Sequence, residues 1–195
     1  MINNGYAHAI RVSLFSLDDV NVLYKILNSG YLLSRNNLLK EKIIIPNKDI
    51  TEDTSVFNGM DYISLCDMEK EHGFNSSYDM YIRNGFSLLF NHDIKVIKPV
   101  IINGYARTVD NAHNMHNLGL QETRYTDLSD EVQVKDKISL DNLIGFCLSK
   151  KILLRCRSIE YMFAYTEMME EVIREYYPNL SIYNLDDGKV LSKRY

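Results

Sequence analysis

Short apolar runs, each cut off by turn residues, set the limits on what this chain can fold into. Runs at 6–15, 61–66, 86–90, 96–102, 131–134 and 144–148 are rich in Val, Ile, Leu, Phe and Tyr, as half-buried strands are. Two segments carry a different period. Ser16-Leu-Asp-Asp19 reads as a capped start, and Val20, Leu23, Tyr24 and Leu27 follow at i, i+3, i+4, i+7 before Gly30. That spacing predicts one helix of about ten residues with a glycine stop. Near the other end, Ile159, Met162, Phe163, Met169, Val172, Ile173 and Tyr176 line one side of a helix over 158–177, which Pro178 ends. Residues 34–60 read as a loop region with one short strand at 43–45, residues 78–84 as a helical or irregular segment, and 181–183 as a short terminal strand. Many short strands with an early and a late helix predict one mixed α+β domain over residues 1–195.

Length and charge narrow the function classes. At 195 residues the chain can bury a real core. No apolar run has the length of a membrane span, and Met1-Ile-Asn-Asn-Gly5 lacks the basic and apolar regions of a secretory signal. The net charge of −4, with scattered basic residues, argues against non-specific nucleic-acid binding. A local basic patch at Lys150, Lys151, Arg155 and Arg157 is the exception to weigh, against a solvated connection. Three cysteines without CxxC spacing, two of them (Cys66 and Cys147) inside apolar strands, read as free thiols in a reducing compartment. His113 and His116 have HxxH spacing but no third ligand, so no metal is expected.

The residues that could do chemistry are spread along the strands. His8 lies on the first strand, Tyr62 and Ser64 on the second, and Glu131 opens a later apolar-alternating strand, Glu131-Val-Gln-Val134. Each alone is more often an ordinary strand residue. The order matters, because an imidazole, an aromatic face and a carboxylate can hold a nicotinamide dinucleotide without a phosphate-binding glycine loop. The long polar stretch 103–129 runs directly into Glu131, and loops of that length inside a domain are commonly functional.

His8 followed by Ser16-Leu-Asp-Asp-Val-Asn-Val-Leu-Tyr-Lys-Ile-Leu-Asn-Ser-Gly-Tyr-Leu-Leu-Ser34 resembles the opening of ADP-ribosyltransferases, in which a His-bearing strand precedes a helix ending in ILxxGYLxS. Tyr62-Ile-Ser-Leu-Cys66 is similar to that family's second motif and Glu131 to its third. The resemblance spans residues 6–148. It implies split, curved antiparallel sheets flanked by helices, with NAD as co-substrate in the central cleft. It implies that His8 bonds the adenosine-side ribose, that the backbone at Ala9 anchors the nicotinamide amide, that Tyr62 stacks on the nicotinamide ring, and that Glu131 holds the nicotinamide-ribose 2′-hydroxyl. Arg11 and Ser64 are the alternative pair, as in the family's Arg-Ser-Glu branch, although Ser129 stands where that branch has Glu or Gln. On strand alternation Arg11 faces away from His8, and Tyr62 shares a side with Ser64; His8 and Tyr62 are preferred. Arg124 and Tyr125, in the loop before Glu131, would touch the acceptor.

The physical reason for this set is independent of the family. Breaking the glycosidic bond of NAD develops oxocarbenium-like charge on the ribose, and a fixed, ionised carboxylate stabilises it more in the transition state than in the ground state. The expectation is a mono-ADP-ribosyltransferase acting on a macromolecule, protein first and nucleic acid second, of the bacterial toxin or effector kind. It would be cytoplasmic, or delivered into a host cell without a Sec signal. A non-catalytic binding module is the alternative, with Tyr161, Tyr165, Tyr176, Tyr177 and Tyr183 as an aromatic interface; a plain NAD glycohydrolase would use the same site.

Overall fold

The structure, a computed structural model, describes residues 4–10, 17–42, 61–70, 82, 86–98, 100–102, 105–107, 130–148, 159–184 and 190–192. In chain order these form β1 (Tyr6–Ile10), α1 (Leu17–Ser29), β2 (Tyr31–Leu33), α2 (Arg35–Lys40), β3 (Tyr62–Asp67), β4 (Phe86–Phe90), β5 (Val100–Ile102) and β6 (Tyr105–Arg107). They continue with β7 (Glu131–Lys135), β8 (Lys137–Ser139), a 3₁₀ turn at Leu140–Asn142, β9 (Leu143–Leu148), α3 (Ile159–Tyr176), β10 (Ser181–Asn184) and β11 (Val190–Ser192). Mixed helix and strand content is what the sequence predicts.

Seven strands make one sheet in the order β11-β10-β9-β4-β1-β3-β7, and β2-β8 and β5-β6 are separate antiparallel pairs. The sheet is mixed rather than wholly antiparallel, because β10 runs parallel to β9 with Ser181 opposite Gly145. A parallel neighbour needs a crossover, and α3 lies between the two strands in sequence.

Side-chain alternation divides the sheet into two faces. One presents Ile10, Ile63, Leu65, Phe86, Leu88, Phe146, Val132, Val134 and Ile182 to Leu23, Ile26 and Leu27 of α1 and Tyr165, Met169 and Ile173 of α3. Burying such side chains contributes about 1.5–3 kcal/mol each, so this face is the main core. The other presents Ala7, Cys66, Leu89 and Cys147, with Met68 and Ile82, as a smaller cluster.

Both helices differ in detail from the sequence reading. On α1 the buried positions are Leu23, Ile26 and Leu27, and Tyr24 is exposed, its ring edge-on to Tyr176 at 5.6 Å. On α3 the innermost residues step by four, Tyr165, Met169 and Ile173, which turns Phe163 outward at 63 % exposure. Tyr165 is therefore core (2 % exposed) and cannot belong to an exposed aromatic interface. Gly30 ends α1 at φ +73°, the left-handed conformation the stop signal called for. Among the described residues no helix is long and apolar enough to cross a membrane.

α2 forms inside the stretch 34–60, where the sequence predicts a loop, and its making is tertiary. Ser34 Oγ caps it by accepting from Asn37 N at 3.4 Å, while Ser34 N donates to Asp136 O at 2.7 Å. Asp136, at φ +63°, also donates its own N–H to Asp61 O at 2.7 Å, and Asn37 Nδ2 reaches Asp136 O at 3.2 Å. One left-handed residue thus ties the β7–β8 bend, α2 and the approach to β3 together.

Candidate active site

Glu131 begins β7 directly opposite Cys66 of β3; Gln133 faces Ser64, and Lys135 faces Tyr62. These six side chains share the face away from α1 and α3, because their neighbours Ile63, Leu65, Val132 and Val134 all point into the helix-side core. Glu131 is half-buried, and Gln133 Nε2 donates to its Oε1 at 3.2 Å, which holds the carboxylate in one orientation. That bond sets the amide's direction, since the carboxylate can only accept while ionised. It leaves Gln133 Oε1 as a buried acceptor with no hydrogen-bond partner.

Behind Glu131 the thiol of Cys66 donates to Asp130 Oδ2 at 3.4 Å, both groups being buried. Burial first, and the Asp130 carboxylate next, push the Cys66 thiol far up. Burial alone pushes Cys147 up to about 12. The sequence reading of two buried free thiols is what the structure has, and burial favours the protonated form of both.

The predicted residues are only partly brought together. Ser64 is exposed and diagonal to Glu131, a separation of about 7–8 Å between such positions. Tyr62 shares their face but lies four residues further along the strands, roughly 13 Å at a strand's rise. Lys135 Nζ sits 5.9 Å from the centre of its ring. His8 alternates with Ala7 and Ala9, so it shares the helix-side face with Tyr6 and Ile10. Its imidazole is committed to the sheet itself, donating from Nδ1 to the Ser64 carbonyl at 2.9 Å. A carbonyl can only accept, so Nδ1 carries the hydrogen. Burial lowers the pKa of His8, and the bond to Ser64 offsets part of that.

The His8 contact marks a parting of strands. Backbone pairing of β1 with β3 is confined to Tyr6 opposite Asp67 and Ala7 opposite Cys66, whereas β1 pairs with β4 along all five residues. Beyond Ala7 the imidazole bridges β1 to β3. On the far side of this opening, Ala9 packs near Cys66 and Cys147, and Ser87, in register with Ala9, holds a buried hydroxyl without a partner. Arg11, Arg124, Tyr125, His113, His116, Cys156 and the basic residues at 150, 151, 155 and 157 lie outside the described residues.

A second cluster sits at the same end of the sheet. Single ligand atoms of Asp67, Glu69 and His92 lie within 4.8 Å of one another. The imidazole is already spoken for: Nε2 accepts the Gly5 N–H at 3.1 Å, and Nδ1 lies 3.3 Å from Glu69 Oε1. Tyr6 packs edge-on against the ring at 4.6 Å. With Nε2 accepting and Nδ1 donating, neither nitrogen offers a lone pair to a cation. The arrangement is a clasp between the start of β1, the end of β3 and the turn after β4.

Gln133 and Lys135 were missed in the sequence, although the signal was there: in Glu131-Val-Gln-Val-Lys135 every second residue is polar. Asp130 could not have been found, because a buried aspartate outside a strand has no local signature. Comparison of the chain with protein-family models, with curated proteins and with solved structures finds no match.

Proposed function

We propose that this chain is an NAD-dependent ADP-ribosyltransferase built on Glu131 and Ser64, moving ADP-ribose to a macromolecular acceptor and releasing nicotinamide. The observation that carries the reading is the oriented carboxylate: Glu131 is half-buried at a strand start, held by Gln133, and diagonal to an exposed serine on the neighbouring strand. A carboxylate so fixed pays little reorganisation when positive charge develops on the ribose beside it. The parting of β1 from β3 beyond Ala7 supports it further, since a split between two interior strands opens room for a dinucleotide.

Of the residues weighed from the sequence, the position of Ser64 fits this reading better than those of His8 and Tyr62; Arg11, the partner of Ser64 in the alternative pair, lies outside the described residues. His8 spends its Nδ1 hydrogen on the Ser64 carbonyl and lies on the other face, and Tyr62 stands too far along β3 to share one ribose with Glu131. His8 instead links β1 to β3 where their backbone pairing ends. Protein is the first acceptor class, given the acidic balance, and the bacterial effector assignment goes with it.

The test is nicotinamide release from NAD, with and without a cell lysate as acceptor. Glu131→Ala should lower release by about 10²–10³-fold, the effect of removing one well-placed transition-state group, with an unchanged unfolding midpoint. Equal rates in parent and variant would end the reading. Release without any labelled macromolecule would instead assign an NAD glycohydrolase.

A further inference from the structure

The six side chains of the β3–β7 face are ordered by charge. At one end stand Glu131 and Cys66, with buried Asp130 against the thiol; Asp67, in register with Tyr6, belongs to the opposite face, and it and Glu69 turn to His92. The middle rung, Ser64 with Gln133, is uncharged and offers a hydroxyl and a buried amide acceptor. The last rung, Tyr62 with Lys135, is cationic and aromatic, and Lys135 is exposed. Further cations gather there. Ile97 bridges to Gln133 in antiparallel sense, which runs exposed Lys95 toward Lys135; Lys137 follows in β8, with its ammonium 4.3 Å over the Tyr31 ring. Among the described residues, Asp61, which accepts from Asn36 Nδ2 at 2.7 Å, and Asp136, in the bend, are the acids at this end. Like-charged lysines drawn side by side on an acidic protein repel each other, and a bound anion would relieve that repulsion.

We infer that the rungs from Glu131 to Lys135 fix the direction of a bound dinucleotide, with its cationic nicotinamide riboside at Glu131 and its pyrophosphate against Lys135 and Lys95. The inference rests on the proposed NAD-cleaving reading and names a phosphate site that reading lacks. The order acid, neutral, cation along two strands matches the order cationic ring, sugar hydroxyls, phosphates along the ligand. The reversed pose would set the phosphates beside Glu131 and Asp130 and the charged ring beside lysines. Tyr62 then serves the phosphate half, holding the Lys135 ammonium over its face, which gives this phenol a role its distance from Glu131 denies it at the scissile bond.

The experiment compares NAD, ADP-ribose and nicotinamide as ligands of the parent, of Lys135→Glu, and of Lys95→Glu as a second variant. The expected result is a rise of about tenfold or more in KM for NAD and in Kd for ADP-ribose in each variant. Nicotinamide, which has no phosphate, should compete equally well against all three proteins. Added salt should narrow the difference, because exposed charges are screened. If the parent cleaves NAD and both variants keep KM and the ADP-ribose affinity within about twofold, the pose is overturned and the proposed function stands. If the parent binds neither NAD nor ADP-ribose, the functional reading itself falls, and the pose with it.

Discussion

Gly5 stands immediately before β1, an interior strand of the sheet, and replacing it by alanine tests how tightly that strand is seated. Its φ is +100°, and an added Cβ would lie inside van der Waals contact of the Phe90 carbonyl oxygen and 3.3 Å from Ile144 Cδ1. Two penalties follow. A side chain at such a φ costs about 1–3 kcal/mol, and a clash against backbone, which cannot swing away, costs a further 1–3 kcal/mol or so. Against these stands roughly 0.4–1 kcal/mol from the stiffer unfolded chain. The net for Gly5→Ala is a destabilisation of about 3 kcal/mol, or a fall in Tm of roughly 6–12 °C for a chain of this size. Any shift that relieves the clash also strains the Gly5 N–H bond to His92 and the Met68 N–H bond to Gly5 O. Gly30→Ala is the control. Its φ is +73° but nothing lies within 4 Å of an added Cβ, so it should cost only the conformational part, about 1 kcal/mol. Urea unfolding of parent and both variants gives the comparison. Equal losses in the two variants would show that the Phe90 contact gives way, and would refute the seating of β1 argued here.

Other outcomes follow from the same geometry. Because burial lowers the pKa of His8, the unfolded chain binds the extra proton more readily; His8's contribution is complete above pH of about 6.5 and is lost as pH falls below it. His8→Gln should flatten the loss of stability between about pH 7.5 and 5, and an unchanged slope would place the acid sensitivity elsewhere. Cys66 and Cys147, both held protonated by burial, should resist iodoacetamide at about pH 8 in the folded protein and react in urea; peptide mass spectrometry reads each separately, and equal native and denatured rates would contradict their burial. Asp136→Val should cost about 1–2 kcal/mol, since a β-branched residue is poorly placed at φ +63°, while Asp136→Gly changes stability by less than about 1 kcal/mol. A Val variant as stable as Gly would mean that the bend relaxes freely.

How much of this was written in the local sequence varies by element. Leu17–Ser29 and Ile159–Tyr176 were legible because their apolar period outlasts any noise and Gly30 and Pro178 punctuate them. β3, β4, β7 and β9 were legible as apolar runs of strand length. α2 was not: Arg35–Lys40 has no buried residue, and its start is fixed by hydrogen bonds to Asp136, far along the chain. Nor were β6 and β11, of three residues each, too short for a period to register. At the site, alternation along Glu131–Lys135 announces a polar side, but not which side the helices cover. That single bit of information moved His8 to the core side and left Ser64 beside Glu131. Phe163 went wrong for a related reason, since an aromatic residue at a helical spacing looks buried until the partner's width is known.

β1 is an interior strand of the sheet, and both its neighbours come after it in the chain: β3 at 62–67 and β4 at 86–90. As the chain leaves a ribosome, β1 must wait for residue 90 before both its edges are paired. Until then Ala7, Ala9 and Ile10 stand on a bare strand open to pairing with another copy. The expected consequence is aggregation during synthesis, which slower elongation or a holding chaperone should reduce.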